Sequence, residues 1–197
     1  MNRRLPIYFL IDVSRSMGGA KMAAVNEGLQ GIVDKFRKDP IVLEMGWISI
    51  ITFSTEAKQL LPLTNVLDVQ LPNIKALGWT NLELGLKKLL ECMSEEIIPN
   101  DIELEQKGDY KPVVVIFSDG GQSKGEWHNI IEEVHARFAK CQNVTAFVAT
   151  GGQYRSYFDE LKEIVGPTGQ AIALDDFNAE SFVKVIDIVS QSVSRAL

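Results

Sequence analysis

Five oxygen-bearing residues stand where separate segments of the chain can bring them to one point. Asp12, Ser14 and Ser16 occur at i, i+2 and i+4, directly after an apolar run. Thr80 follows Gly78-Trp79 just ahead of a second apolar-periodic segment, and Asp119 follows another apolar run and precedes Gly120. Two carboxylates and three hydroxyls make an all-oxygen set of hard ligands carrying two negative charges. That set suits Mg2+, or alternatively Mn2+, which favour octahedral oxygen coordination and keep water in the remaining positions. Each residue also has an ordinary structural use. Ser14, Ser16 and Thr80 are good helix caps, and Asp119-Gly120 is a turn signal. The coincidence of three loops, each offering oxygen ligands after a strand or before a helix, favours the metal.

The elements around these residues alternate. Residues 6–11 (PIYFLI), 47–53 (WISIITF) and 112–117 (PVVVIF) are short, nearly continuous runs of β-branched and aromatic residues. Such runs are expected of parallel strands covered on both faces. Residues 144–149 (VTAFVA) form a fourth and residues 171–174 (AIAL) a weaker fifth. Residues 58–62 (KQLLP), after the polar Ser54-Thr55-Glu56, predict an antiparallel edge strand in a hairpin. Amphipathic helical spacing covers residues 22–36, 82–97, 127–138, 157–165 and 182–193. Residues 100–110 are polar and acidic and predict a surface loop.

Together these imply an α/β fold over residues 1–197 as a single domain. Its central sheet is Rossmann-like and mostly parallel, with one antiparallel edge strand and helices on both faces. In such sheets ligands bind at the carboxyl ends of the strands, close to where strand order reverses. The five oxygen ligands belong to that end.

Composition narrows the partners. A net charge of -6 and a pI near 5.0, with no basic run longer than Arg3-Arg4, argue against nucleic acid. No apolar run reaches the roughly 18 residues of a membrane span, and the stretch ending at Asp12 is too short for a signal peptide. Cys92 and Cys141, far apart and without a CxxC pattern, suggest reduced thiols. The expectation is a cytoplasmic protein that binds neither nucleic acid nor membrane.

The pattern Asp12-x-Ser14-x-Ser16, Thr80 and Asp119-Gly120, with Gly85 five residues after the threonine, resembles the metal-ion-dependent adhesion site of von Willebrand factor A-type (VWA) domains. The resemblance extends over nearly the whole chain. It implies that Ser14, Ser16 and Thr80 are direct ligands and that Asp12 and Asp119 bind directly or through water. It also implies one open position, filled by an Asp or Glu carboxylate of a protein partner. Residues 4–12 (RLPIYFLID), 24–29 (AVNEGL), 49–53 (SIITF) and 107–112 (KGDYKP) look like the TerY-like VWA proteins associated with bacterial tellurite resistance. That implies a scaffold in tellurite resistance or stress response. Residues 121–126 lack a proline and an aspartate expected of such relatives, and Arg15 replaces the glycine often found between the two serines.

The remaining chemistry-bearing residues read more plainly. Arg15 is expected to point into solvent and Trp79 to pack into the fold. His128 and His135, seven apart without a third His or Cys, suit a solvated helix face. The competing functional reading is a Mg2+-dependent phosphatase-like hydrolase with Asp12 as nucleophile. Haloacid dehalogenase-like phosphatases carry a second aspartate where this chain has Ser14, and no Walker A, GxGxxG or nucleophile-elbow motif is present. The expectation is therefore a binding module, not an enzyme.

Overall fold

The computed structural model describes residues 3–101, 103, 107–120, 127–151 and 155–197. The loop of residues 121–126, singled out above for its departure from the TerY-like pattern, lies outside the described residues, as do parts of the 100–110 loop. Six strands form one sheet in the order β3-β2-β1-β4-β5-β6. They are β1 (Leu5–Asp12), β2 (Gly46–Phe53), β3 (Ala57–Asn65), β4 (Val113–Ser118), β5 (Asn143–Ala149) and β6 (Gln170–Leu174). Only β2 and β3 pair antiparallel; the other neighbours are parallel. The mixed α/β sheet with one antiparallel edge is the architecture that the sequence implied.

Helices α1 (Ala20–Phe36), α2 (Pro40–Met45), α3 (Leu82–Glu96), α4 (Ile131–Phe138), α5 (Arg155–Val165) and α6 (Ala179–Ser194) cover the two faces. Alternation along β1 decides which helix each residue meets. Ile7, Phe9 and Ile11 join the layer of α1, α2 and α6, whereas Tyr8 and Leu10 join that of α3, α4 and α5. The first layer centres on Phe117, whose ring lies 5.6–6.3 Å from those of Phe9, Phe147, Phe177 and Phe182.

Some details differ from the sequence reading. Helix α2 was not expected; Asp39 caps it by accepting from the amides of Ile41 and Val42, and Pro40 stands in its first turn. The 127–138 segment opens as a 3-10 turn, Trp127–Ile130, before α4 begins. Strand β3 is longer than the five residues predicted and joins β2 with register shifts. Among the described residues, no helix is long and apolar enough to cross a membrane.

Strand β1 is central. The chain runs from it outward to β2 and β3, then returns to lay β4 on its other side. The order therefore reverses between β1 and β4, opening a crevice at their carboxyl ends. Ile11 pairs with Phe117, which sets Asp12 abreast of Ser118 and brings Asp119 next to it.

Candidate metal centre

Asp12 ends β1, wholly buried, with both oxygens engaged. Its Oδ1 accepts from the Ser14 amide at 2.8 Å and its Oδ2 from the Ser118 hydroxyl at 2.9 Å. Ser118 is held in turn by the Gly120 amide, which donates to its Oγ at 3.1 Å. Gly120 has φ +69°, and a Cβ there would lie 2.7 Å from the Cβ of Tyr157. Backbone conformation and space both demand glycine after Asp119. Ser118 was not legible as a site residue: a serine ending an apolar strand carries no signal until β4 lies beside β1.

After Asp12 the chain makes a 3-10 turn, Arg15–Met17, flanked by Ser14. Neither this turn nor α1 is capped by a side chain, so Ser14 and Ser16 do no capping. Their hydroxyls meet each other instead, at 3.0 Å, and Ser16 Oγ donates to Asp119 Oδ1 at 2.9 Å. The ammonium of Lys21, from the first turn of α1, donates to Asp119 Oδ2 at 2.8 Å and to the Ser16 carbonyl at 3.2 Å. Lys21 is the second contributor that the sequence did not reveal. It lies 98 positions from its partner, and a lysine near a helix start reads as a solvated charge.

Thr80 arrives from the connection between β3 and α3. This segment is tied to the first loop by the Arg15 amide donating to the Gly78 carbonyl at 3.1 Å, and by Leu77 N to Val13 O at 2.6 Å. Asn81 caps α3 by accepting from the Leu84 amide. Thr80 is therefore relieved of capping; it is buried, and lines with Ser118 and Gly120 a crevice of about 10 Å³, at the lower limit of what admits one water. Gly85 lets the helix that follows Thr80 lie close against the sheet. A Cβ there would sit 2.6 Å from Phe53 Cγ, so α3 lies directly on β2 only because the side chain is missing.

The structure thus gathers Asp12, Ser14, Ser16 and Asp119 through hydrogen bonds, and sets Thr80 beside Ser118. Among the described residues, no group of three or more His, Cys, Asp or Glu gathers at this site or elsewhere; the site's acidic residues are the two aspartates, and its other oxygens are hydroxyls. His128 is exposed and stacks on Trp127, and the half-buried His135 bonds the Glu163 carbonyl, in keeping with the solvated face expected of them. One expectation is overturned: Trp79 is not packed into the core but 60% exposed. Burying it would draw the Gly78–Thr80 segment inward, away from Thr55, whose hydroxyl accepts from the Trp79 amide. The exposed Arg15 extends over its ring, 5.5 Å from the centroid.

Burial pushes the Asp12 carboxyl up to about 6, opposed by its hydrogen bonds from Ser14 and Ser118 and assisted by the nearby Asp119. A carboxyl raised on folding adds stability that is complete below its ordinary value of 3.8 and is lost as pH rises through about 6. In chelator, urea unfolding of wild type should therefore weaken relative to Asp12→Asn by about 1–2 kcal/mol between roughly pH 5 and pH 7.5. A difference flat across that range would show that Asp12 is not held in this environment.

Comparison with known proteins agrees with the architecture. The family model described as von Willebrand factor type A domain matches residues 7–188. The fold is similar to the PilB minor pilin from Streptococcus sanguinis, with TM-score 0.67 and 13% identity over 99% of this chain. It is also similar to the pilus adhesin SpaC from Lactobacillus rhamnosus GG, with TM-score 0.69 and 12% identity over 98%. A von Willebrand factor type A protein from Catenulispora acidiphila aligns over 97% of this chain, with TM-score 0.66 and 14% identity. This chain spans 62%, 30% and 43% of those three proteins respectively. With the model matched along almost its whole length, the chain belongs to the von Willebrand factor type A domain family.

Proposed function

We infer that this domain binds one Mg2+, or Mn2+, through Asp12, Ser14, Ser16, Thr80 and Asp119, and uses it to capture a carboxylate of a protein partner. The observation that carries the reading is the convergence of oxygens from two loops: Ser14 and Ser16 after β1 and Asp119 after β4 lie at hydrogen-bond distances that an octahedral ion also accepts. Mg2+ with ligands at about 2.0–2.1 Å in an octahedron places neighbouring oxygens about 2.9–3.0 Å apart. Ser14 Oγ to Ser16 Oγ is 3.0 Å and Ser16 Oγ to Asp119 Oδ1 is 2.9 Å. The charge balance supports the same conclusion. Two buried carboxylates face one partly exposed ammonium among the described residues, which leaves room for a further cation.

When bound, the metal would supply an electrophilic centre where its direct ligands are the three neutral hydroxyls and the two carboxylates bind through water. The residues around it do the selecting. Asp12 is held in place by Ser14 and Ser118, so the loop needs little rearrangement. Leu77, 70% exposed, and the Arg15–Trp79 pair flank the site, beside a groove of about 570 Å³ lined in part by Lys58, Leu60 and Lys75. Glu56 lies in the same lining and pairs with Lys58, so Arg15 and Lys75, with Leu60 and Leu77, supply the surround that suits a partner segment in which an acidic residue neighbours an apolar one. The resemblance of residues 4–12 and 107–112 to TerY-like proteins supports a cytoplasmic scaffold in tellurite resistance or stress response.

The test is capture from a lysate of the source organism in Mg2+, in EDTA, and in Mg2+ with Thr80→Ala. A partner retained only with metal and intact Thr80 is the expected result. Partners indifferent to both changes would overturn the metal-bridged reading, and phosphatase assays would follow.

A further inference from the structure

We propose that Lys21 is a built-in competitor for the metal: its ammonium neutralises Asp119 while the site is empty of metal and must leave when a divalent cation arrives. The inference rests on the metal-binding reading above and concerns what sets that site's affinity.

Lys21 occupies the second position of α1, whose first turn contains no acidic residue and whose start lacks a side-chain cap. The positive end of the helix dipole disfavours a cation there. Its place is set by Asp119 Oδ2, 2.8 Å away, and by the Ser16 carbonyl of the site's own loop at 3.2 Å. Asp119 is almost wholly buried, whereas the Lys21 side chain keeps 29% of its surface in solvent. The pair is therefore asymmetric. The carboxylate cannot leave, but the ammonium stands on a four-carbon stem with water within reach.

At Asp119, Ser16 engages Oδ1 and Lys21 engages Oδ2, so one lone-pair site of each oxygen is taken. Turning the Ser16 hydroxyl frees one at little cost, because a hydroxyl proton rotates easily. Keeping Lys21 in contact would leave a positive charge within a few ångströms of a divalent cation, which is strongly unfavourable in a partly buried site. Metal entry thus requires Lys21 to swing toward solvent, and that displacement lowers affinity. The device holds two buried carboxylates in a folded loop without metal, at the expense of tight binding.

Titration calorimetry with Mg2+ alone, on the full chain in chelator-treated buffer, compares wild type with Lys21→Met, and with Lys35→Met as a control. Lys35 pairs with Asp187 on the surface rather than with a site residue. Lys21→Met is expected to bind Mg2+ at least about tenfold more tightly, with Lys35→Met unchanged. Lys21→Met is also expected to melt lower than wild type without metal. In wild type, labelling of Lys21 by an amine reagent is expected to rise on adding Mg2+. If Lys21→Met does not fold, Lys21→Gln, which can still donate to Asp119 without charge, takes its place. Equal or weaker Mg2+ binding by the variant, with wild type binding normally, overturns the competitor role and leaves the metal site standing. Absence of Mg2+ binding by both overturns the metal reading itself, and this inference with it.

Discussion

Asp119→Asn should lower Mg2+ affinity by more than about a hundredfold while leaving the far-ultraviolet circular dichroism of the chain unchanged. Loss of an outer contact to a metal ligand already costs 10–100-fold, and this substitution removes one of only two carboxylates from the set. The amide preserves the shape, so Ser16 can still donate to its oxygen. What vanishes is the charge that a hard divalent cation requires. The clearest readout is thermal: saturating Mg2+ should raise the melting temperature of wild type and leave that of the variant unmoved, because a ligand stabilises only what it binds. Thr80→Ala should behave similarly with a smaller loss, since a neutral donor is removed. An Asp119→Asn protein that still gains stability from Mg2+ at wild-type concentrations would place the ion elsewhere.

Phe117→Ala should do the opposite, costing about 3–5 kcal/mol of stability while leaving Mg2+ affinity of the folded protein near wild type. Phe117 is fully buried and has four aromatic neighbours at ring distances of 5.6–6.3 Å, contributed by β1, β5, α6 and the segment before α6. Truncation leaves a void walled by rigid rings, which collapse poorly. In a chain of this size the loss corresponds to a melting temperature lower by about 10 °C. The ring points to the face of the sheet opposite α3, so the position of Thr80 does not depend on it. A loss under about 1 kcal/mol would mean that the aromatic cluster closes over the gap.

These two residues, two positions apart, illustrate what the sequence makes legible. Runs such as PVVVIF announce a strand buried on both faces because both sets of alternating residues are apolar. The five oxygen ligands could be proposed because each follows or precedes such an element, and the rule for strand carboxyl ends then places them together. The register shifts in β3, the extra helix α2 and the inventory of partners inside the site were not legible. Ser118 and Lys21 act through contacts across 106 and 98 positions of sequence, and neither residue type advertises such a contact. Trp79 was misjudged for a related reason. Hydrophobicity alone sends tryptophan inward, but the Leu77 amide bonded to Val13, the Gly78 carbonyl bonded by Arg15 and the Trp79 amide bonded to Thr55 fix the backbone, and the ring has only the outside left.

The bulged pairing of β3 also governs how copies of this domain meet one another. A sheet with free edges invites a second sheet to extend it, the usual beginning of aggregation. Here one edge is a strand carrying Lys58 and Pro62 and put out of step with β2 near Ile50, and the other edge, β6, has only five residues. Neither offers the long, flat row of amides that templates strand addition. Contacts between copies are thereby directed away from the backbone and onto side chains.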